Sequence, residues 1–227
     1  MNAEVLCIGT EILLGDIVNT NGAYLTRQLA TLGIDVYHQS VVGDNSQRLL
    51  DSLKLALSRA DIVITTGGLG PTYDDVTKKA VADYFGLNLE PHEPSVRKIE
   101  AFYQRRNVPM TPNNLLQAQV PAGATVFFNE AGFAPGFAVE QGGKTVIMLP
   151  GPPNELYPMF EKQVAPFLEK YTGATIRSRT IHIFGMGESL VEDTLRDLMT
   201  SSVNPTVAPY AKSGEVQVRV SAKAESA

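Results

Sequence analysis

The segment Thr65-Thr66-Gly67-Gly68-Leu69-Gly70-Pro71-Thr72-Tyr73-Asp74-Asp75-Val76-Thr77 joins the two residue types that phosphate chemistry needs, glycines and carboxylates. Glycines let the backbone curl so that several N–H groups converge on an anion with no Cβ in the way. A helix read as opening at Asp74 adds the positive end of its dipole. Two carboxylates at such a place repel a bare phosphate, but they make sense if a divalent cation bridges them to a phosphate oxygen, because hard oxygen ligands suit magnesium. The plainer alternative is that Asp74 caps the helix and Asp75 complements its dipole. This is not a Walker loop, since no Gly-Lys-Ser/Thr follows the glycines.

Two other loops carry related chemistry. Gly9-Thr10-Glu11-Ile12-Leu13-Leu14-Gly15-Asp16, followed by Asn19-Thr20-Asn21, offers a hydroxyl, carboxylates and amides directly after an apolar run. A structural turn with a helix cap accounts for it equally well. Leu149-Pro150-Gly151-Pro152-Pro153-Asn154-Glu155 sets rigid prolines around one glycine at a helix start, a shape suited to an anion or to a stiff turn. Asp44, in Val41-Val42-Gly43-Asp44-Asn45, reads in isolation as an acid at a helix start, and Asn113 with Asn114 as caps of a short helix. His38, His92 and His182 show no metal-ligand spacing and no paired nucleophile, so they read as structural or surface residues. Cys7, inside Val5-Leu6-Cys7-Ile8, reads as a small buried hydrophobe rather than a nucleophile.

The elements that must position these loops follow from periodicity. Val5 to Gly9 reads as a buried strand, and Asp35 to Gly43 and Asp61 to Thr66 as the second and third strands. Between and after them come helices: one from Asn19 to Leu32 with the stripe Leu25, Leu29, Leu32, and one capped at Asn45 or Ser46 with Leu49, Leu53, Leu57. Three β-α units in succession imply a parallel sheet covered on both faces, with ligands bound outside the carboxyl ends of its strands. Pro91 to Asn107 reads as a further helix, Ala124 to Glu140 as a hairpin around Asn129 to Gly136, and Thr145 to Leu149 as another buried strand. It runs into a helix carrying Leu156, Met159, Phe160, Val164 and Phe167.

Near Tyr171 to Ala174 the pattern changes to strand, helix and two strands joined at Ser213-Gly214. The expected domains are therefore residues 1–172 and 173–227. The second is thin for an independent core, which suggests a shortened form or one that needs a partner.

The net charge of −5 and pI near 5.3 give no basic surplus for nucleic-acid phosphates. A single cysteine excludes an intramolecular disulfide. The N-terminus lacks a signal-peptide pattern, and no apolar run approaches the ~20 residues that span a bilayer. The expectation is a cytoplasmic protein with no membrane and no nucleic-acid partner.

GTEILLG, VNTN, VVGDN, TTGGLGPTYDDVT, NNLLQA, FAPGF and LPGPPNE occur in this order along the chain, and Gly185-Met186-Gly187-Glu188-Ser189 and Asn204-Pro205-Thr206 follow. In that order they resemble the CinA family (competence/damage-inducible protein A), specifically its N-terminal region, which is similar to the molybdopterin-binding domain of molybdenum-cofactor enzymes. The resemblance implies a three-layer α/β domain with a mostly parallel sheet, followed by a small KH-like α+β domain. It implies hydrolysis of the ADP-ribose pyrophosphate to AMP and ribose 5-phosphate with a divalent metal, Mg²⁺ or Co²⁺, and K⁺. Longer members carry a further C-terminal nicotinamide mononucleotide deamidase domain, and that activity is not expected of this sequence. Self-association as a homodimer or other homo-oligomer is expected on the same ground.

Carried onto this chain, the resemblance makes Asp44 and Asp75 catalytic and, with Asp74, metal-holding. In related molybdopterin adenylyltransferases, acids matching Asp44 and Asp75 serve metal and phosphate chemistry. The phosphate-bearing, nucleotide-like ligand is then expected on Thr10, Glu11, Gly67, Gly68, Gly70, Pro71, Thr72, Asn113, Gly151, Pro152 and Glu155. The N–H groups of the three glycines at 67, 68 and 70 and the Thr72 hydroxyl would cradle a diphosphate. The chain departs from the family at Leu115-Leu116, where a basic residue is common, at Phe133 in place of threonine, and at Asn154 in place of arginine or serine. The competing readings are a molybdopterin-binding or adenylyltransferase-type domain, and a non-catalytic ligand-sensing module.

Overall fold

The computed structural model describes residues 1–72, 75–171, 175–212 and 214–224, with backbone only at 175–177 and 223. Two compact units emerge, residues 1–29 with 34–171, and residues 30–33 with 172–227.

The first unit is built on one six-stranded sheet. Its strands are β1 (Asn2–Ile8), β2 (Asp35–Val42), β3 (Ile62–Thr66), β6 (Thr125–Phe127), β7 (Gly136–Gln141) and β8 (Lys144–Leu149), in the order β2-β1-β3-β8-β7-β6. The first four in that order are parallel, and β7 and β6 complete the sheet antiparallel. A mostly parallel sheet is what the three successive β-α units require. The hairpin expected within Ala124 to Glu140 supplies the antiparallel edge.

Alternation along the strands covers both faces. Leu6 and Ile8 of β1, Val63 of β3 and Met148 of β8 form one buried cluster with Leu49, Leu53 and Leu57 of α3 (Ser46–Arg59) and Val81 of α4 (Thr77–Phe85). The intervening Val5, Cys7, Ile64 and Ile147 point the other way and are equally buried. The helix α2 (Thr20–Thr31) meets α7 (Pro153–Met159) through the stacked rings of Tyr24 and Tyr157. Asn45 caps α3 by accepting from the Arg48 N–H, as its residue type suits. Burial of Cys7 raises its thiol pKa, in keeping with an inert core position.

Three elements escape the sequence reading. A one-turn helix α1 (Thr10–Leu14) follows β1. A short antiparallel ladder joins β4 (Leu89–Pro91) to β5 (Gln119–Pro121), bracketing α5 (Glu93–Arg106) and α6 (Asn113–Leu116). The helix after β8 passes through a π-helical turn, Phe160–Val164, into α8 (Ala165–Glu169). That turn lies between Pro158 and Pro166, each of which withholds an N–H from the α-helical ladder.

The second unit has β9 (Thr175–Ile183), α9 (Glu188–Ser201), β10 (Thr206–Lys212) and β11 (Glu215–Ala224). Its antiparallel sheet runs β10-β11-β9, and Val191 and Leu195 of α9 pack with Ile183, Val207, Val216, Val218 and Val220. No described helix is long and apolar enough to cross a membrane.

Candidate functional site

The parallel strands end on one line. In the ladder register Cys7 stands beside Thr66 and Thr66 beside Leu149, while Ile8 stands beside Val42. The residues that follow, Gly9, Gly43, Gly67 and Pro150, therefore leave the sheet at the same rim. There Gly9, Gly67, Pro150 and, next after Gly43, Asp44 line a cleft of about 650 Å³. Open α/β sheets place ligands at this edge because the helices and loops that leave it converge there.

Two aspartates of the cleft wall are held in the same manner. Asp44 accepts from the Thr10 N–H at 2.8 Å and the Thr10 hydroxyl at 2.9 Å, both on Oδ2. Asp75 accepts from the Thr72 N–H at 2.8 Å and from the Thr72 hydroxyl, again both on Oδ2. Each carboxylate is thereby oriented, with no hydrogen bond to Oδ1 among the described residues. Thr72 is thus a holder of Asp75 and does not line the cleft, which corrects its expected part in the diphosphate cradle. The helix α4 begins at Thr77 with Val76 before it, so Asp75 precedes the helix and answers Thr72 rather than capping a helix end.

The glycine loop shows how backbone donors are gathered. Three successive carbonyls are drawn toward the first turn of α4. Gly67 O accepts from the Thr77 hydroxyl at 3.0 Å, Gly68 O from the Thr77 N–H at 3.2 Å, and Leu69 O from Lys78 Nζ at 3.3 Å. Because a trans peptide is planar, its N–H points opposite to its carbonyl. The N–H groups of Gly68, Leu69 and Gly70 are therefore turned away from α4, and none has a hydrogen-bond partner among the described residues. All three residues line the cleft. The Gly67 N–H, expected in the cradle, is instead spent on Leu149 O at 3.1 Å, so Leu69 takes its place as a donor. Gly67 and Gly68 have φ of 103° and 66°, and a Cβ would run into the Ile8 carbonyl in one case and the Thr77 hydroxyl in the other.

The opposite wall is tied together by amides. Asn21 Nδ2, at the start of α2, donates to Gly151 O at 2.6 Å and Thr66 Oγ1 at 3.1 Å, and Thr66 passes its own proton to Pro150 O. Among the described residues Asn21 Oδ1 is buried without a partner. Asn129 accepts the N–H groups of Ala131 and Gly132 and donates to Ala134 O and to Glu155 Oε2. Lys98 Nζ donates to the carbonyls of Asn129, Glu130 and Gly132, so the loop is held from behind. Burial lowers the Lys98 pKa, an effect that the charges of Glu155 and Glu130 resist.

The charge of the cleft is one-sided. Glu11, Asp44, Asp75 and Glu155 line it, and no lysine, arginine or histidine does among the described residues. The nearest fixed cation to the glycine loop is Lys78, whose pKa burial pushes down to about 8 against the opposing pull of Asp75.

Comparison with known proteins was made on the sequence and on the fold. Residues 4–170 match the family model described as a probable molybdopterin binding domain, and residues 178–227 match the damage-inducible protein CinA KH domain. The chain belongs to the CinA-like family.

Among CinA-like relatives, a provisionally named competence-damage inducible protein of Caldicellulosiruptor bescii is 53% identical over 226 residues. A CinA-like protein of Dictyoglomus turgidum is 49% identical over the same length. Each match covers the whole of this chain and 55% of the relative, so the chain spans about half the length of these proteins. The crystal structure of CinA from Thermoplasma acidophilum, a protein of unknown function, superimposes with a TM-score of 0.65 at 34% identity, over 75% of this chain and 97% of that one. The molybdopterin biosynthesis enzyme MoaB of Thermus thermophilus shares the fold, with a TM-score of 0.51 at 19% identity over 76% and 94% of the two chains.

The CinA-like cleft gathers Glu11, Asp44, Gly67, Gly68, Gly70, Asp75, Gly151, Pro152 and Glu155 from the sequence-derived site. Thr10 and Thr72 stand behind it as holders of the two aspartates. Pro71 follows the glycine loop outside the cleft lining, and Asn113 opens α6 as an exposed residue, also outside it. Asp74 lies outside the described residues. The sequence reading missed Asn21, Gln117 and Leu69 in the lining and Lys78 behind it. Asn21 stood in the quoted Asn19-Thr20-Asn21 run, but nothing in that run marks a side chain that reaches Gly151, 130 residues away.

Proposed function

We propose that the cleft binds a phosphate-bearing, nucleotide-like ligand together with a divalent cation, and that it hydrolyses the pyrophosphate link of a nucleotide sugar, ADP-ribose first among them. The observation that carries this reading is the mismatch within the cleft. Among the described residues, three unspent backbone N–H groups invite an anion, while four carboxylates and no lining cation oppose one. A cation entering with the ligand removes that conflict.

Asp44 and Asp75 suit Mg²⁺ or Co²⁺: both are hard oxygen donors with one oxygen unspent among the described residues. Among the described residues no group of three or more His, Cys, Asp or Glu converges as a metal cluster. Magnesium is commonly held by one or two carboxylates, with phosphate oxygens and water completing the shell, so two aspartates suffice. Such a cation supplies Lewis acidity at a phosphoryl oxygen. The chain's own residues do the rest. The N–H groups of Gly68, Leu69 and Gly70 receive the phosphoryl oxygens and stabilise charge as it develops there. Thr10 and Thr72 keep the aspartates aimed. In the net reaction water adds its oxygen to one phosphorus, the bridging P–O bond breaks, and each product leaves as a phosphate monoester.

The test is the purified protein incubated with ADP-ribose, Mg²⁺ or Co²⁺, and K⁺, with products separated by chromatography. Metal-dependent AMP and ribose 5-phosphate are expected. Intact ADP-ribose in folded protein overturns the hydrolytic reading. A second reading, binding of molybdopterin or its adenylation, is supported by the family model that covers residues 4–170. Tight molybdopterin binding with no action on ADP-ribose would establish it. The resemblance also supports self-association, and light scattering that gives one chain mass of 24.5 kDa would count against it.

A further inference from the structure

Lys78 is a lysine in a costly place. It is 5% exposed, and among the described residues no carboxylate lies within ion-pair distance of its ammonium. A methionine of similar length would fill the space without the desolvation cost of a charge. The ammonium is satisfied instead by two carbonyls, neither from its own helix: Leu69 O at 3.3 Å and Leu116 O at 2.6 Å.

Both carbonyls belong to peptides at the cleft. Leu69 O shares its peptide with the Gly70 N–H, and Leu116 O shares its peptide with Gln117, which lines the cleft. The two preceding peptides of the glycine loop are turned by Thr77, through a hydroxyl and a backbone N–H. The third is turned by a charged group. A cation hydrogen-bonded to a carbonyl polarises that peptide and strengthens the donor at its far side.

We infer that Lys78 is a positioning residue for anion binding: through the Leu69–Gly70 peptide it aims and polarises the Gly70 N–H toward a phosphoryl group, and it supplies from behind the wall the positive charge that no lining side chain provides. The bond to Leu116 O ties Gln117 to the same loop. The inference rests on reading the cleft as a phosphoryl site, and it adds the residue that makes an acidic cleft receptive. The buried lysine reaches this loop at the Leu116 carbonyl, in a stretch, Leu115-Leu116, that carries no charge of its own.

Calorimetric titration of the full chain with inorganic pyrophosphate in excess Mg²⁺ tests it. Lys78→Met should bind about tenfold more weakly than wild type. Lys79→Met, which removes the same charge from an exposed side chain paired with Asp83, should bind as wild type. A lysine that merely stabilised the fold would lower the melting temperature and leave pyrophosphate affinity unchanged. Folded Lys78→Met with wild-type affinity therefore overturns the inference. If that variant does not fold, the amide resonances of isotope-labelled wild type decide. Gly70 should shift on titration more than Gly67, whose N–H is committed to Leu149 O. An unmoved Gly70 amide at saturating pyrophosphate overturns the inference. Wild type with no affinity for Mg²⁺-pyrophosphate overturns the cleft reading itself, and the role of Lys78 with it.

Discussion

Thr10 and Asp44, 34 residues apart, exchange three hydrogen bonds: Asp44 Oδ2 accepts the Thr10 N–H and hydroxyl, and the Thr10 hydroxyl accepts the Asp44 N–H at 3.1 Å. The loops after β1 and β2 are thereby locked to one another at the rim of the cleft. A side chain that is exposed and flexible in isolation becomes a fixed carboxylate. On the proposed function, fixing it before a ligand arrives would remove an entropic cost that binding otherwise carries.

Thr10→Val should leave only the backbone N–H on Asp44. Turnover should fall about tenfold, with little change in melting temperature because the pair is exposed. Steady-state kinetics beside a thermal melt separate the two effects, and a large loss of stability would show that the clamp serves the fold instead.

Asp75→Asn keeps the shape of the carboxylate and removes its charge. Hydrolysis should drop by about 10²-fold or more, and the metal concentration for half-maximal activity should rise. Wild-type rates in this variant would take Asp75 out of the chemistry.

A stability prediction lies on the far side of the sheet's first strand. Glu4 is 1% exposed and takes two hydrogen bonds from Arg59, each 2.8 Å, and one from Ser40. Burial alone raises the Glu4 carboxyl, but the bonds from Arg59 and Ser40 outweigh it and hold the group below 4.5. Its folded pKa is depressed, so this stabilisation is present above pH 4.5 and is lost as pH falls through the folded value. Arg59→Leu strands the Glu4 charge and should lower the urea midpoint at neutral pH. The deficit should shrink in acid.

The folded pKa of Lys78 is depressed as well, here because burial disfavours the charged form. Folded, it releases its proton near pH 8, whereas the unfolded chain keeps that proton to about 10.5. Between those values the unfolded state binds more protons, so wild-type stability should climb with pH relative to Lys78→Met. Unfolding free energies of both proteins at pH 7 and pH 9.5 test this, and parallel curves would contradict it.

The scaffold could be read from the sequence where burial alone decides structure. Val5 to Ile8, Ile62 to Thr66 and Thr145 to Leu149 are apolar runs too short for helices, and the β-α alternation leaves them little choice but a parallel sheet. The ladder of β4 on β5 was hidden because its strands have three residues each and carry two prolines. The site was legible as residue types at strand ends and illegible as hydrogen bonds. That Thr72 would hold Asp75, or that Gly67 would spend its N–H on the sheet, depends on backbone directions that no residue type encodes. In the sequence nothing sets Lys78 apart from its equally charged neighbour Lys79 in the first turn of α4. Only the path of the loop from Leu69 and of α6 to Leu116 buries the one and leaves the other in solvent.

The bond from the Gly67 N–H to Leu149 O carries the parallel ladder one rung past the last residue of β3. The sheet's cooperativity therefore extends to the doorstep of the loop and ends between Gly67 and Gly68. On one side of that peptide the backbone opens only when the sheet comes apart, and on the other its N–H groups are free to meet solvent or ligand. On the proposed function, a ligand seated on Gly68, Leu69 and Gly70 would add its own hydrogen bonds at the end of the sheet, and occupancy of the cleft would be felt directly by the parallel ladder.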